Sequence, residues 1–281
     1  MIIILFFLLM VVVLMILSKT LESYFYDHDH VYDSKYFGKI IVKRTSNGEK
    51  SMIINGFVQG VSVELFKELF KELFKKKFSQ KELYKKGFLN SYWYKMAELT
   101  ADHCKGRNSP HVLIVGLGTG TIPTVLESLD KSIKQTIIDI DPTIIKACYD
   151  HFKLGDLNCE VIEADILKAV HDNRYKKRFN GKFDVIVFDV FTGSPPFLLP
   201  ETGRATFLHH LTPWMKKNGL LLINRPRGFV KEDRETVEIT EFLKHIFKAV
   251  RYFPVYENQK HGNVIIWGRE PQLHVFFPSP P

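Results

Sequence analysis

The chain has 281 residues, 45% hydrophobic and 25% charged, with a formal charge of +8 at pH 7. That size and apolar content exclude a disordered chain and suffice for one large domain, or a large plus a small one. Three cysteines, Cys104, Cys148 and Cys159, are too few and too scattered for a disulfide framework or a metal site, so reduced structural thiols are expected.

The positive excess sits in short runs at residues 75–77, 85–86, 176–178 and 216–217, which read as solvated faces. No zinc-finger spacing and no aromatic single-strand platform accompanies them, so a nucleic-acid partner is not expected.

Residues 1–17, MIIILFFLLMVVVLMIL, form an unbroken apolar run. At about 1.5 Å per residue such a run spans about 25 Å, barely enough for a hydrocarbon core of about 30 Å. It has no basic leading region and no small-x-small cleavage site. A single-pass N-terminal transmembrane anchor is therefore expected, with a cleaved signal peptide and a secreted chain as the alternative. Residues 18–33 read as a polar linker.

Residues 34–61 read as a small β-domain. Residues 39–44 alternate as a strand, Ser46-Asn47-Gly48 is a turn signal, residues 51–54 return, and Asn55-Gly56 is a second turn. Residues 62–104 read as a helical connector. Within it, residues 62–78 repeat ELFK every four residues, placing Leu-Phe pairs on one helical face. That face packs on its own domain or lies on a membrane surface. Residues 92–104 form a helix leading into the main domain.

The main domain spans residues 105–281 and opens on HVLIVGLGTGTIPTVLESLDKSIKQTIIDID. Residues 112–115 are a short β-branched run, as a buried parallel strand should be. Gly116, Gly118 and Gly120 follow at alternate positions, where glycine permits a sharp turn and a close ligand approach. Residues 121–129 have helical spacing and residues 136–140 form the next strand. Asp139 falls about 20 residues after the glycines, where a dinucleotide-type fold carries its ribose-binding carboxylate. The turn reads G-x-G-x-G, which resembles the first motif of class I S-adenosylmethionine-dependent transferases.

The alternation continues. Strands are expected at 159–162, 183–188, 219–224 and 263–267, with helices at 206–217 and 239–250. The fold class is α/β: a Rossmann-like doubly wound sheet, class I methyltransferase-like, after a small β-domain and an N-terminal hydrophobic helix. Asp139, Asp165 and Asp189 each sit at the carboxyl end of a predicted strand, the edge where open α/β sheets bind ligands. Asp165, before ILKAV, also reads as a helix N-cap.

These motifs, in this order, resemble the polyamine synthase family of spermidine and spermine synthases. SKYFGKIIV…MIINGFVQG is similar to the family's N-terminal β-domain, VLIVGLGTGT to its glycine turn, and IDIDP to its E-I-D. EAD is similar to its G-D, FDVIVFDVFTGSPP to its Y-D-V-I-x-x-D-S-S-D-P, and LTPWMKKNGLLLIN to its L-K-x-x-G-x-L. The resemblance implies a transferase with no tightly bound cofactor. Its donor substrate is S-adenosylmethionine or the decarboxylated form, its acceptor a small-molecule amine or a protein, and a homodimer is implied. Asp139 would bind the ribose, Asp165 the adenine amino group, Gln59 the nucleoside side, and Asp189 would accept the proton of the attacking amine. A methyltransferase on the same fold and a non-catalytic membrane-tethered homologue are the alternatives.

Departures accompany the matches. The family's acid in the glycine turn is Thr119 here, the second acid of D-S-S-D is Thr192, and the glutamate of Y-x-E is missing near Tyr92. Those acids hold cationic amines. Losing one such contact in a desolvated site costs about 1.5–3 kcal/mol.

Overall fold

The structure, a computed structural model, describes residues 29–44, 49–62, 88–190, 198, 205–228, 230–255 and 262–272. Four antiparallel strands come first: β1 (His30–Ser34), β2 (Gly38–Arg44), β3 (Lys50–Ile54) and β4 (Phe57–Val61), adjacent in chain order. In β2 the alternation GKIIVKR buries Ile40 and Val42 and leaves Lys39 and Lys43 in solvent. The β3–β4 turn puts Asn55 and Gly56 at φ +52° and +82°, which asparagine and glycine tolerate. β1 begins at His30, within the stretch read as a linker.

Helix α1 (Tyr92–Cys104) starts where Ser91 Oγ accepts from Tyr94 N. It leads into a seven-stranded sheet of β5 (His111–Val115), β6 (Lys134–Asp139), β7 (Cys159–Glu163), β8 (Phe183–Phe188), β9 (Met215–Arg227), β10 (Phe247–Val255) and β11 (Gly262–Pro271). The spatial order is β10-β11-β9-β8-β5-β6-β7. The five strands from β9 to β7 are parallel, and β11 and β10 add an antiparallel edge. The sheet is therefore mixed. All six residues of β8 are buried, as a central strand covered on both faces requires.

One core cluster joins Ile40, Val42, Met52 and Ile54 of the first sheet to α1, to α2 (Thr121–Leu129), to α3 (Pro142–His151) and to the near face of the large sheet. A second fills the far face beneath α4 (Ile166–Ala169), α5 (Asn173–Phe179), the 3-10 segment Ala205–Trp214 and α6 (Val230–Ile246). The chain lays down β5, β6 and β7 outward, then returns to place β8 on the other side of β5. The order reverses there, and a crevice opens beyond the carboxyl ends of β5 and β8.

Two expected elements differ. The helix expected over 239–250 ends at Ile246, and Phe247 starts β10, pairing with Pro271. The Phe247 ring lies over Gly268, where a Cβ would come within 2.7 Å of it. That packing outweighs the helical spacing. The helix expected over 206–217 is a 3-10 segment ending at Trp214. Met215 then joins the sheet opposite Phe183.

The expected N-terminal hydrophobic helix, the single-pass anchor and the membrane association built on it are corrected. Among the described residues no helix is long and apolar enough to cross a membrane. The runs behind that expectation, residues 1–17 and nearly all of 62–78, lie outside the described residues.

Candidate functional site

The site begins where β5 ends. Gly116, at φ +91°, donates its N–H to Ile138 O at 2.9 Å, while Asp189 N donates to Val115 O at 2.9 Å. A Cβ on Gly116 would stand 2.2 Å from Asp189 O, so only glycine lets the turn close against the next strand. Gly118 and Gly120 also have positive φ, +53° and +73°. Cys148 Sγ, from α3, donates to Gly118 O at 3.0 Å.

Asp139 closes β6 beside this turn. Its Oδ2 accepts from Leu117 N at 2.7 Å and its Oδ1 from Asp141 N at 2.9 Å. Burial pushes this carboxyl up to about 6, against the pull of those backbone hydrogen bonds. Asp189 ends β8, next in register to Gly116. Its Oδ1 accepts from Asn224 Nδ2 at 2.8 Å, and the Tyr92 side chain adds a second hydrogen bond. Burial pushes Asp189 up to about 6 as well, against these two contacts. Asp165 caps α4, its Oδ1 accepting from Leu167 N at 3.0 Å, with Lys168 Nζ at 3.8 Å.

A cavity of about 340 Å³ lies over these groups. Gly116, Gly118, Asp139, Asp165, Asp189 and Gln59 all line it. Gly120 is not among its lining residues; it is the left-handed N-cap of α2. Gln59 comes from β4, so the small sheet supplies one wall, with Tyr36, Phe37 and Ile54 beside it. The remaining lining is mostly apolar. Among the described residues that line it, three are carboxylates and none is basic. Such a chamber suits a ligand with an apolar body and a positive charge.

The small sheet docks tightly onto the glycine turn. A Cβ at Gly60 would meet Thr119 Oγ1 at 2.1 Å, and Thr121 Oγ1 donates to Val61 O at 3.2 Å. Thr119 is 3% exposed, its hydroxyl 2.7 Å from that of Thr121. Ser34 Oγ donates to the buried Asp141 Oδ2 at 2.5 Å, a second tie between the sheets. Thr192 lies outside the described residues.

The two hydrogen-bond partners of Asp189 escaped the sequence reading. Tyr92 sits in the loosely matched segment before the main domain, and nothing local marks its side chain as facing Asp189. Asn224 had a signal: it is the polar residue that ends the apolar run GLLLIN at the ligand edge of the sheet.

No family model matches the chain. Over 143 residues it is 32% identical to an N-terminal histidine N-methyltransferase of Emericella nidulans, covering 51% of this chain and 24% of that protein. Over 160 residues it is 26% identical to a polyamine aminopropyltransferase of Neisseria meningitidis serogroup A, covering 56% of this chain and 55% of the relative. The chain thus spans about half of that relative's length, or less for the first. In three dimensions it superposes on a probable spermidine synthase from Corynebacterium glutamicum with a TM-score of 0.64 at 16% identity, covering 90% of this chain and 82% of that one. The fold is that of spermidine synthase. Sequence relatedness to the aminopropyltransferases is distant but falls in line with it. In this spermidine synthase fold the small sheet and the doubly wound sheet share one cavity, and its three carboxylates lie at or just beyond the carboxyl ends of β6, β7 and β8.

Proposed function

We propose that the chain is a transferase that takes an alkyl group from an adenosyl sulfonium and delivers it to an amine. The observation that carries this is the meeting of Asp139, Asp165 and Asp189 with the glycine turn around one largely apolar cavity. Asp139 accepts from the ribose hydroxyls, Asp165 from the adenine amino group, and Gln59 contacts the nucleoside from the small sheet. The glycines admit the ligand close to the backbone. The negative chamber favours the sulfonium.

The amine arrives as an ammonium, with an ordinary pKa near 10 and no lone pair to attack with. Asp189 orients it and takes its proton. The freed nitrogen pair then attacks the carbon bonded to sulfur. A C–N bond forms as the C–S bond breaks, and the departing electron pair leaves a neutral thioether. A carboxyl raised to about 6 is ionised at neutral pH yet more basic than an exposed aspartate.

Decarboxylated S-adenosylmethionine is the donor the motif pattern favours. Methyl transfer from intact S-adenosylmethionine is the second reading, and Thr119 favours it: a neutral residue in the glycine turn does not repel that donor's carboxylate. Calorimetry of the protein with S-adenosylmethionine, its decarboxylated form and methylthioadenosine ranks the two. Tightest binding of the decarboxylated donor supports aminopropyl transfer, and tightest binding of the intact donor supports methyl transfer. If none of the three binds, the transferase reading fails.

A further inference from the structure

Three polar side chains run in line from the antiparallel edge of the large sheet to the cavity. Asn263 Nδ2 donates to Asn224 Oδ1 at 2.8 Å, and Asn224 Nδ2 donates to Asp189 Oδ1 at 2.8 Å. The register of the sheet puts them there. β8 and β9 pair Phe188 with Ile223 in parallel, so Asp189 and Asn224 follow side by side. β9 and β11 pair Asn224 with Ile265 and Pro226 with Asn263, so the two asparagines lie diagonally on one face. Asn224 is fully buried.

We propose that Asn263 is a positioning residue for Asp189, acting through Asn224 by fixing which end of the Asn224 amide meets the carboxylate. This rests on the reading of Asp189 as the proton acceptor. An amide has one accepting end and one donating end. With Asn263 donating to its oxygen, Asn224 presents its NH2 to Asp189. Were Asn224 alone to turn over, with Asn263 keeping its orientation, its NH2 would face the NH2 of Asn263 and its oxygen would face a carboxylate oxygen. Both contacts repel. The arrangement therefore holds the ionised form of Asp189 in one orientation and opposes the burial that favours the neutral acid. The titratable groups around Asp189 are Tyr92, which bonds to it from α1, and Asp139, Asp165 and Tyr36, which share the cavity from the end of β6, the start of α4 and the turn after β1. β9 and β11 bring only the neutral asparagines into this line.

The test uses the full chain and the isosteric pair Asn263→Leu and Asn263→Asp. The Asp189 carboxyl is titrated by infrared spectroscopy as the difference from Asp189→Asn in each background. Asn263→Leu removes the donor and should raise the Asp189 midpoint by about one unit. Asn263→Asp keeps the volume but turns the donor into an acceptor. It draws the NH2 of Asn224 toward itself and should raise the midpoint further. The acidic limb of kcat/KM should move by the same amount in each variant, with KM for the donor changed less than about twofold. An unchanged Asp189 midpoint in both variants overturns the proposal, whatever the turnover. Midpoints that rise while the wild type alkylates no amine uphold the positioning role and reject the catalytic reading instead.

Discussion

At the scale of single residues, Asp139 and Asp189 share one electrostatic situation and different partners. Both are raised to about 6 by burial, but Asp139 is tied to backbone N–H groups and Asp189 to the side chains of Asn224 and Tyr92. Asp139 is thus part of the glycine-turn scaffold, whereas Asp189 can change protonation without breaking the backbone ladder. Asp189→Asn should cut turnover about 10²–10⁴-fold while leaving methylthioadenosine affinity within about threefold. Asp139→Ala should weaken that affinity by about tenfold or more in the same calorimetric assay. Equal losses of binding in both would move Asp189 into the donor pocket. Wild-type kcat/KM should rise as pH climbs through about 6, as Asp189 ionises.

The same shift has a consequence for stability. A carboxyl whose folded pKa of about 6 exceeds the ordinary 3.8 stabilises the fold fully below about 4 and loses that contribution as pH rises through about 6. Asp189→Asn removes the ionisable group. It should match the wild type near pH 4 in chemical denaturation and exceed it near pH 8 by on the order of 3 kcal/mol. A variant less stable than the wild type at pH 8 would show that its hydrogen bonds outweigh the burial cost.

At the scale of elements, the contact between β4 and the glycine turn sets the shape of the cavity. Gly60 has no side chain because Thr119 Oγ1 occupies the place of its Cβ. Gly60→Ala should push β4 off the turn and destabilise the protein by about 1–3 kcal/mol in urea denaturation. Adding Thr119→Gly, which vacates that space, should restore more of the loss than two independent sites would allow. Strict additivity would mean that the strand accommodates the methyl elsewhere. The element boundaries that the sequence misplaced lie at α6–β10 and at the 3-10 segment before β9. There the local helical spacing of residues 247–250 and 215–217 gives way to pairing with β11 and β8, partners distant in sequence.

At the scale of the whole molecule, the two sheets share one apolar core. Ile40, Val42, Met52 and Ile54 belong to the same apolar cluster as Val112, Ile114 and Val185. Ser34 and Asp141 bond across the junction. Differential scanning calorimetry should therefore show both sheets melting in one transition, and two separated transitions would refute the shared core. At the opposite end of the sheet from the cavity, the Asp184 side chain is 2% exposed. It bonds Lys216 Nζ at 2.7 Å, His111 N at 2.9 Å and Arg107 Nη1 at 3.1 Å. These contacts hold its carboxyl below the usual range against the effect of burial. Asp184→Ala leaves the His111 amide without its acceptor and removes one partner from Lys216 and from Arg107, which keeps the carbonyls of His103 and Asn218. It should cost about 1–3 kcal/mol, read in the same denaturation assay.

The sequence by itself determined the alternation of strands and helices through the main domain. Helices at Tyr92–Cys104 and Thr121–Leu129 and the strand at Phe183–Phe188 were legible to the residue, because caps, turn glycines and apolar runs are local signals. It also marked the positions of Gly116, Asp139, Asp165 and Asp189 at strand ends. Only the tertiary structure decided what those positions face. That Gln59 closes the cavity, that Gly120 is a helix cap outside it, and that Thr119 turns into β4 follow from how the small sheet docks. The link from Asn263 through Asn224 to Asp189 depends on the register of three strands far apart in the chain. Register is fixed by long-range pairing and burial, and no short window of sequence carries it.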